Sequence, residues 1–444
     1  SNENATRSYS NSKQIFLNDN SSLQNGVFPK SDEKFFDARF DELEGLHIEK
    51  SDTKEQHQDK NKIYTERKED TYTITETKLK DDEPFECVVK RKNGTLKSTT
   101  KQLPDGNFET IVYREDGSVY SKGLYKDFYE IFLLEEKKYD RKGKLTEKTY
   151  NDEQSQIINE RYKNGKLYVV DKTDARRQGV LNERTVYNSD GSVYINTKYA
   201  PDGTITESIK NKRTDDPDFD DFDKKAFDGI LKNDFEQGMS GTCYFVSTVQ
   251  SFLNTTKGRE IIKQSVSYDK ENDVSTVKFL GAQKEYKFSS SDIKEAMGRL
   301  SAGDPDFAAL LLGYEKYRAQ SKSKVVDSGF STEVFKALCG KEGESNIIFG
   351  GIVKTIDNKV LDNMSKNLHT GNYAITVHTF AETVDTEFSE EDKKAGLINS
   401  HAYSLKNVTD SEVTVINPLT QKEITISREK FMESFITFAQ VKLE

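Results

Sequence analysis

The chain has 444 residues, 34% hydrophobic and 32% charged, with a formal net charge of −10. An acidic balance argues against a binder of phosphate backbones, and no apolar run approaches the roughly 18 residues of a membrane-spanning helix. Three cysteines (Cys87, Cys243, Cys339) and five histidines, scattered along the chain, exclude a disulfide framework and make a zinc site improbable.

The chain opens Ser-Asn-Glu-Asn, with no Met and no basic-then-apolar pattern. A secreted or cell-surface protein whose signal has been removed is compatible with that start. Residues 1–60 are rich in Asn, Ser, Asp and Lys and carry an aromatic cluster at Phe35, Phe36 and Phe40. Such composition predicts an extended or disordered arm.

Residues 61–210 repeat. Tyr113-Arg-Glu-Asp-Gly-Ser-Val-Tyr120 recurs as Tyr187-Asn-Ser-Asp-Gly-Ser-Val-Tyr194, with weaker copies around Gly143, Gly165 and Gly203. Asp-Gly and Asn-Gly favour two-residue hairpin turns, and alternating Thr, Tyr, Val and Ile between them predict strands. The expectation is an antiparallel β-meander whose sheet offers a surface to a protein partner. Its pattern loosely resembles the tyrosine-glycine repeats of bacterial surface and toxin-associated proteins. Residues 211–226 hold the acidic run Asp215 to Asp223, read as a linker because the glycine and closing Glu of an EF-hand are missing.

Residues 227–444 change to mixed helix and strand, the pattern of an α+β domain. A short helix is predicted from Cys243, and another after Asp304-Pro305. Strands are predicted at Tyr373–Thr379, Ala402–Asn407 and Glu412–Ile416. Ser427 starts a last short helix before a closing strand.

The chemistry concentrates in Gln237-Gly-Met-Ser-Gly-Thr-Cys243-Tyr244. A cysteine at a helix start has its thiolate favoured by the exposed N–H groups. Gln237 can aim an amide N–H at the point where the Cys243 N–H converges, an oxyanion-hole arrangement. Taken alone, Cys243 reads better as a buried small hydrophobe, as most isolated cysteines are. However, His401 opens one strand and Asn417 ends the next, so a turn between them sets the two side by side.

These blocks, Gln-Gly-x-x-Gly-x-Cys-aromatic, His401-Ala-Tyr-Ser404 and Asn417-Pro418, make residues 227–444 resemble the calpains, a branch of the papain-like cysteine peptidases. The resemblance implies a papain-like α+β fold and a cysteine endopeptidase. It implies Cys243 as nucleophile, His401 as general base, Asn417 as its orienting residue and Gln237 in the oxyanion hole. Gly329 and Gly241 then lie against substrate backbone. It also implies one calcium held by backbone oxygens of Phe227 and Gly229 together with Asp234 and Asp306. Departures are the absence of Trp, with Tyr244 and Leu419 in the expected places, and Thr242 before the nucleophile. Such an enzyme acts on proteins or peptides, with autoprocessing and control by the N-terminal region as expectations. Two alternatives stay open: a transglutaminase or deamidase on the same scaffold, and a β-repeat binding protein with a degenerate peptidase domain.

Overall fold

The computed structural model describes residues 62–444 except 153, 177–179, 223–226, 228, 322–325 and 349–350. The arm at 1–60, with Phe35, Phe36 and Phe40, lies outside the described residues. Those described fall into two compact units, one up to Arg177 and one from Gln178.

The first unit is an antiparallel meander of ten strands, from Ile63–Glu69 to Lys166–Asp174, each paired with its successor in the chain. Its Asp-Gly turns differ from the two-residue hairpins expected. At Asp116-Gly117 only the glycine has positive φ (85°). The Gly117 N–H donates to the Arg114 carbonyl (3.0 Å), the Arg114 N–H donates to Ser118 O (2.8 Å), and the register slips between Val112 and Tyr113. This is a type I turn closed by a glycine bulge. The Asp116 carboxylate, accepting the Ser118 N–H at 2.9 Å, favours it by holding Asp116 out of the left-handed region. Asn164-Gly165, with φ of 53° and 78°, does form the two-residue turn. Arginines join successive hairpins: Arg91 donates to the Tyr113 carbonyl at 2.8 Å, and Arg114 to the Tyr139 carbonyl at 2.6 Å.

The second unit begins with three more antiparallel strands, Leu181–Tyr187, Val193–Tyr199 and Ile205–Lys210. The unit therefore starts ahead of the acidic segment at which sequence reasoning placed the boundary. Side chains explain the difference. Leu181, Val186, Tyr194 and Ile195 are buried, the Tyr194 hydroxyl donates to Asp220 at 3.0 Å, and Lys210 Nζ donates to the Met297 carbonyl at 3.0 Å. Repeat-like strands can be seen in the sequence, but their burial against later elements cannot.

Beyond them, the helix Cys243–Leu253 is buried from Tyr244 onward. It packs on the helices Thr256–Ser265 and Ser331–Cys339 and on two strands, Tyr373–Thr379 and Ala402–Val408. Those strands are central in a six-stranded antiparallel sheet whose order is 344–345, 435–442, 373–379, 402–408, 412–416, 423–427. Alternation divides the sheet's apolar side chains between two cores. Ala374, Ala402 and Ala439 join the core containing Phe245, Val249 and Phe252. Ile375, Val377 and Tyr403 join a second core with Phe431 and Phe435. Small residues on the first face let the Cys243 helix lie close against the sheet.

Candidate active site

Gln237 ends a short strand, Phe235–Gln237, paired with Ser301–Gly303. The following loop is held by backbone bonds to one facing segment: Gly238 N–H to Leu300 O, Met239 N–H to Gly298 O and Ser240 N–H to Arg299 O. The loop leads directly into the helix headed by Cys243, where the Phe245 and Val246 N–H groups donate to the Thr242 carbonyl at 3.0 Å. Gln237 is buried, and its Nε2 donates to Ser240 O at 2.8 Å.

His401 is 5% exposed and immediately precedes the strand Ala402–Val408. Its N–H donates to Thr379 Oγ1 (3.0 Å), and the Thr379 N–H donates to the His401 carbonyl (3.0 Å). The imidazole Nε2 lies 3.2 Å from Asn417 Oδ1. The Asn417 amide is fixed from several sides. Nδ2 donates to Gly396 O at 3.1 Å, Oδ1 accepts the Leu419 N–H at 2.9 Å, and the backbone N–H donates to Lys422 O at 3.0 Å. Because Nδ2 is committed to a carbonyl and Oδ1 accepts from an N–H, Oδ1 is the atom that faces histidine. Asn417 Oδ1 therefore takes the Nε2 hydrogen and leaves the Nδ1 lone pair available.

Burial pulls the His401 pKa down to about 4, against the opposing effect of the Asn417 hydrogen bond. The imidazole is neutral at neutral pH. Tyr403 stands edge-on to it with ring centroids 5.0 Å apart, and its hydroxyl donates to the same Gly396 carbonyl at 2.8 Å. His378, opposite Ala402 in the neighbouring strand, is also pulled down to about 4, by burial first and His401 second. Sequence reasoning missed Thr379, Tyr403, Gly396 and His378. Tyr403 lay inside the His401 motif, whereas Gly396 acts through its carbonyl and leaves no side-chain signal.

The other residues singled out by sequence are placed as follows. A Cβ on Gly241 would lie 2.0 Å from the Asp327 carbonyl, and one on Gly329 would lie 2.7 Å from the Tyr244 ring. Both glycines allow close packing around the nucleophile loop. Tyr244 is fully buried, and its hydroxyl donates to Val326 O at 2.9 Å. Gly229 precedes a single 3₁₀ turn. Asp234 offers its carbonyl to the Asp304 N–H (2.8 Å), and Asp304 caps the helix Pro305–Ala319 by accepting the Asp306 N–H at 2.7 Å. Among the described residues, no group of three or more His, Cys, Asp or Glu side chains is arranged to hold a metal. Calcium takes six to eight oxygens, backbone carbonyls included, and the Asp234 main-chain bond to Asp304 leaves the Asp234 carboxylate out of account.

No curated protein sequence matches the chain. Among solved structures, a mutant S. aureus TarM in complex with fondaparinux, alpha-GlcNAc-glycerol and UDP is similar at 10% identity with a TM-score of 0.14. The similarity covers 42% of this chain and only 27% of that one, and carries no argument. The sequence model of the calpain family cysteine proteases matches residues 192–427, more than half of the 444, and the chain belongs to that family.

Proposed function

We propose that the chain is a cysteine endopeptidase acting on proteins or peptides, with Cys243 as nucleophile and His401 as general base. The observation that carries this reading is the 3.2 Å contact between His401 Nε2 and Asn417 Oδ1, on the sheet that supports the Cys243 helix. A neutral imidazole with Nε2 protonated takes the Cys243 thiol proton at Nδ1. The thiolate attacks the substrate carbonyl carbon, and the developing oxyanion accepts from the Cys243 backbone N–H and the second Nε2 hydrogen of Gln237. The imidazolium passes its proton to the departing amine, leaving a thioester on Cys243. Water, deprotonated at Nδ1, then cleaves the thioester and regenerates the thiol.

The test is hydrolysis of a casein or peptide-library substrate by wild type, Cys243→Ala and His401→Ala. Cleavage by wild type alone supports the reading. Equal cleavage by Cys243→Ala overturns it, and glutamine deamidation without chain cleavage transfers the site to the acyl-transferase alternative.

A further inference from the structure

The segment Val326-Asp327-Ser328-Gly329 is clasped against both sides of Cys243. Asp327 lies against Gly241, two residues before the nucleophile, so closely that a Cβ there would reach 2.0 Å from its carbonyl oxygen. Val326 accepts the hydroxyl of Tyr244, the residue after the nucleophile, at 2.9 Å. Gly329 rests on the Tyr244 ring, and the Arg318 guanidinium donates to Ser328 O at 3.1 Å. These four residues form a wall beside the loop that presents Cys243.

The side chain of Asp327 leads away from this wall. It is almost completely buried, and a buried carboxylate is costly unless its oxygens are held by donors. Its Oδ2 accepts the Tyr199 hydroxyl at 2.9 Å and lies 3.5 Å from the Arg184 guanidinium. Oδ1 has no hydrogen-bond partner among the described residues. Tyr199 ends the strand Val193–Tyr199, and Arg184 lies on its neighbour, Leu181–Tyr187. Burial first, and the Asp327 charge second, keep the Tyr199 hydroxyl protonated far above its ordinary range, so it remains a donor.

We propose that Tyr199 and Arg184, from the last repeat-like strands, are positioning residues for substrate binding, acting through Asp327 on the wall at 326–329. The assignment rests on the peptidase reading above. The wall adjoins the nucleophile loop without supplying a reacting group, so its displacement affects how substrate backbone is held more than the chemistry at sulfur.

The experiment uses the full chain. Tyr199→Phe removes only the hydroxyl, and Tyr194→Phe is its control. Tyr194 lies on the same strand but donates to Asp220, away from the wall. Tyr199→Phe is expected to raise peptide KM about three- to tenfold with kcat and the rate of Cys243 alkylation nearly unchanged. Tyr194→Phe leaves KM unchanged. Arg184→Gln behaves like Tyr199→Phe, whereas Arg184→Lys retains a KM near wild type. Hydrogen exchange, which needs no substrate, is expected to quicken at 327–330 in Tyr199→Phe and not in Tyr194→Phe. Unchanged KM and exchange in Tyr199→Phe, or equal changes in both variants, overturn the proposal even if the melting temperature falls. If wild type cleaves nothing, the peptidase reading fails, and the exchange comparison still decides whether Tyr199 positions the wall.

Discussion

Gln237 donates its backbone N–H to the carbonyl of Pro418, the residue after Asn417, at 2.9 Å. One bond thus ties the strand leading to the nucleophile loop to the turn that orients His401. The tie is made by main chain, so the Gln237 side chain can be altered without releasing it. Gln237→Ala is expected to lower kcat by about 10²- to 10³-fold, the usual effect of removing one oxyanion donor. Steady-state kinetics with a peptide substrate reads the effect, with a far-UV spectrum to confirm that the fold is kept. An unchanged kcat would mean that Gln237 has no part in the oxyanion hole.

Selective alkylation follows from the surroundings of the three thiols. Burial pushes the Cys87 and Cys339 thiols up from their ordinary range, which slows their reaction. Cys243 stands at a helix start in the site that holds His401. Iodoacetamide at pH 7 is expected to label Cys243 first, with peptide mass mapping as the readout. His401→Ala should slow that labelling. Faster modification of Cys87 or Cys339 contradicts the assignment of the nucleophile.

Much of this site was readable because its chemistry is local in sequence. The Cys243 block, the His401 block and Asn417-Pro418 each announce themselves by residue type and spacing. The strand at Tyr373–Thr379 and the Asp304 cap also follow from alternation and capping rules. What sequence could not convey depends on long-range contact. Asp327 has no local pattern to mark it, and only folding brings it under Tyr199. Gly396 contributes a carbonyl, which every residue possesses. The Asp-Gly turns were misjudged because the same dipeptide serves a two-residue turn and a bulged one. The Asp116 bond to the Ser118 N–H decides between them.

The depressed histidines set a pH window for stability. The folded pKa of His401 is about 4, below its ordinary value of 6.5. Between those values the unfolded chain binds the proton more readily, so stability is full above about pH 6.5 and lost as pH falls toward 4. The contribution of His401 is about 3 kcal/mol, and His378 acts in the same window. Urea denaturation of wild type and His401→Gln between pH 7 and pH 4 is expected to show a steeper loss for wild type. Parallel loss in the two proteins would show that His401 is not held neutral by burial.

Calcium provides a separate check. If the Phe227 and Gly229 carbonyls share a calcium with Asp234 and Asp306, excess calcium is expected to raise the melting temperature over that in chelator, and Asp234→Ala to abolish the rise. Melting curves that superimpose in calcium and in chelator would remove the ion from the site.

The N-terminal strands of the second unit bear on where the chain can be shortened. If everything before the peptidase region merely restrained it, a chain starting at Lys224 would be more active than the full one. The packing predicts the reverse. Such a cut removes Tyr194 and Ile195, which are 1% and 2% exposed, and takes Tyr199 and Arg184 away from Asp327. An uncompensated buried carboxylate costs roughly 3–5 kcal/mol, a large share of the 5–15 kcal/mol typical of a folded domain. Exposed apolar surface on the remaining face adds to the loss and favours aggregation. A chain starting at Gln178 keeps all three strands and is expected to be soluble, to melt cooperatively and to cleave peptide. The Lys224 chain is expected to aggregate or to melt at a much lower temperature. Any restraint by earlier residues is then measured as the activity of the Gln178 chain relative to the full chain. A soluble, fully active Lys224 chain would show that the three strands are dispensable and would return the boundary to the acidic segment.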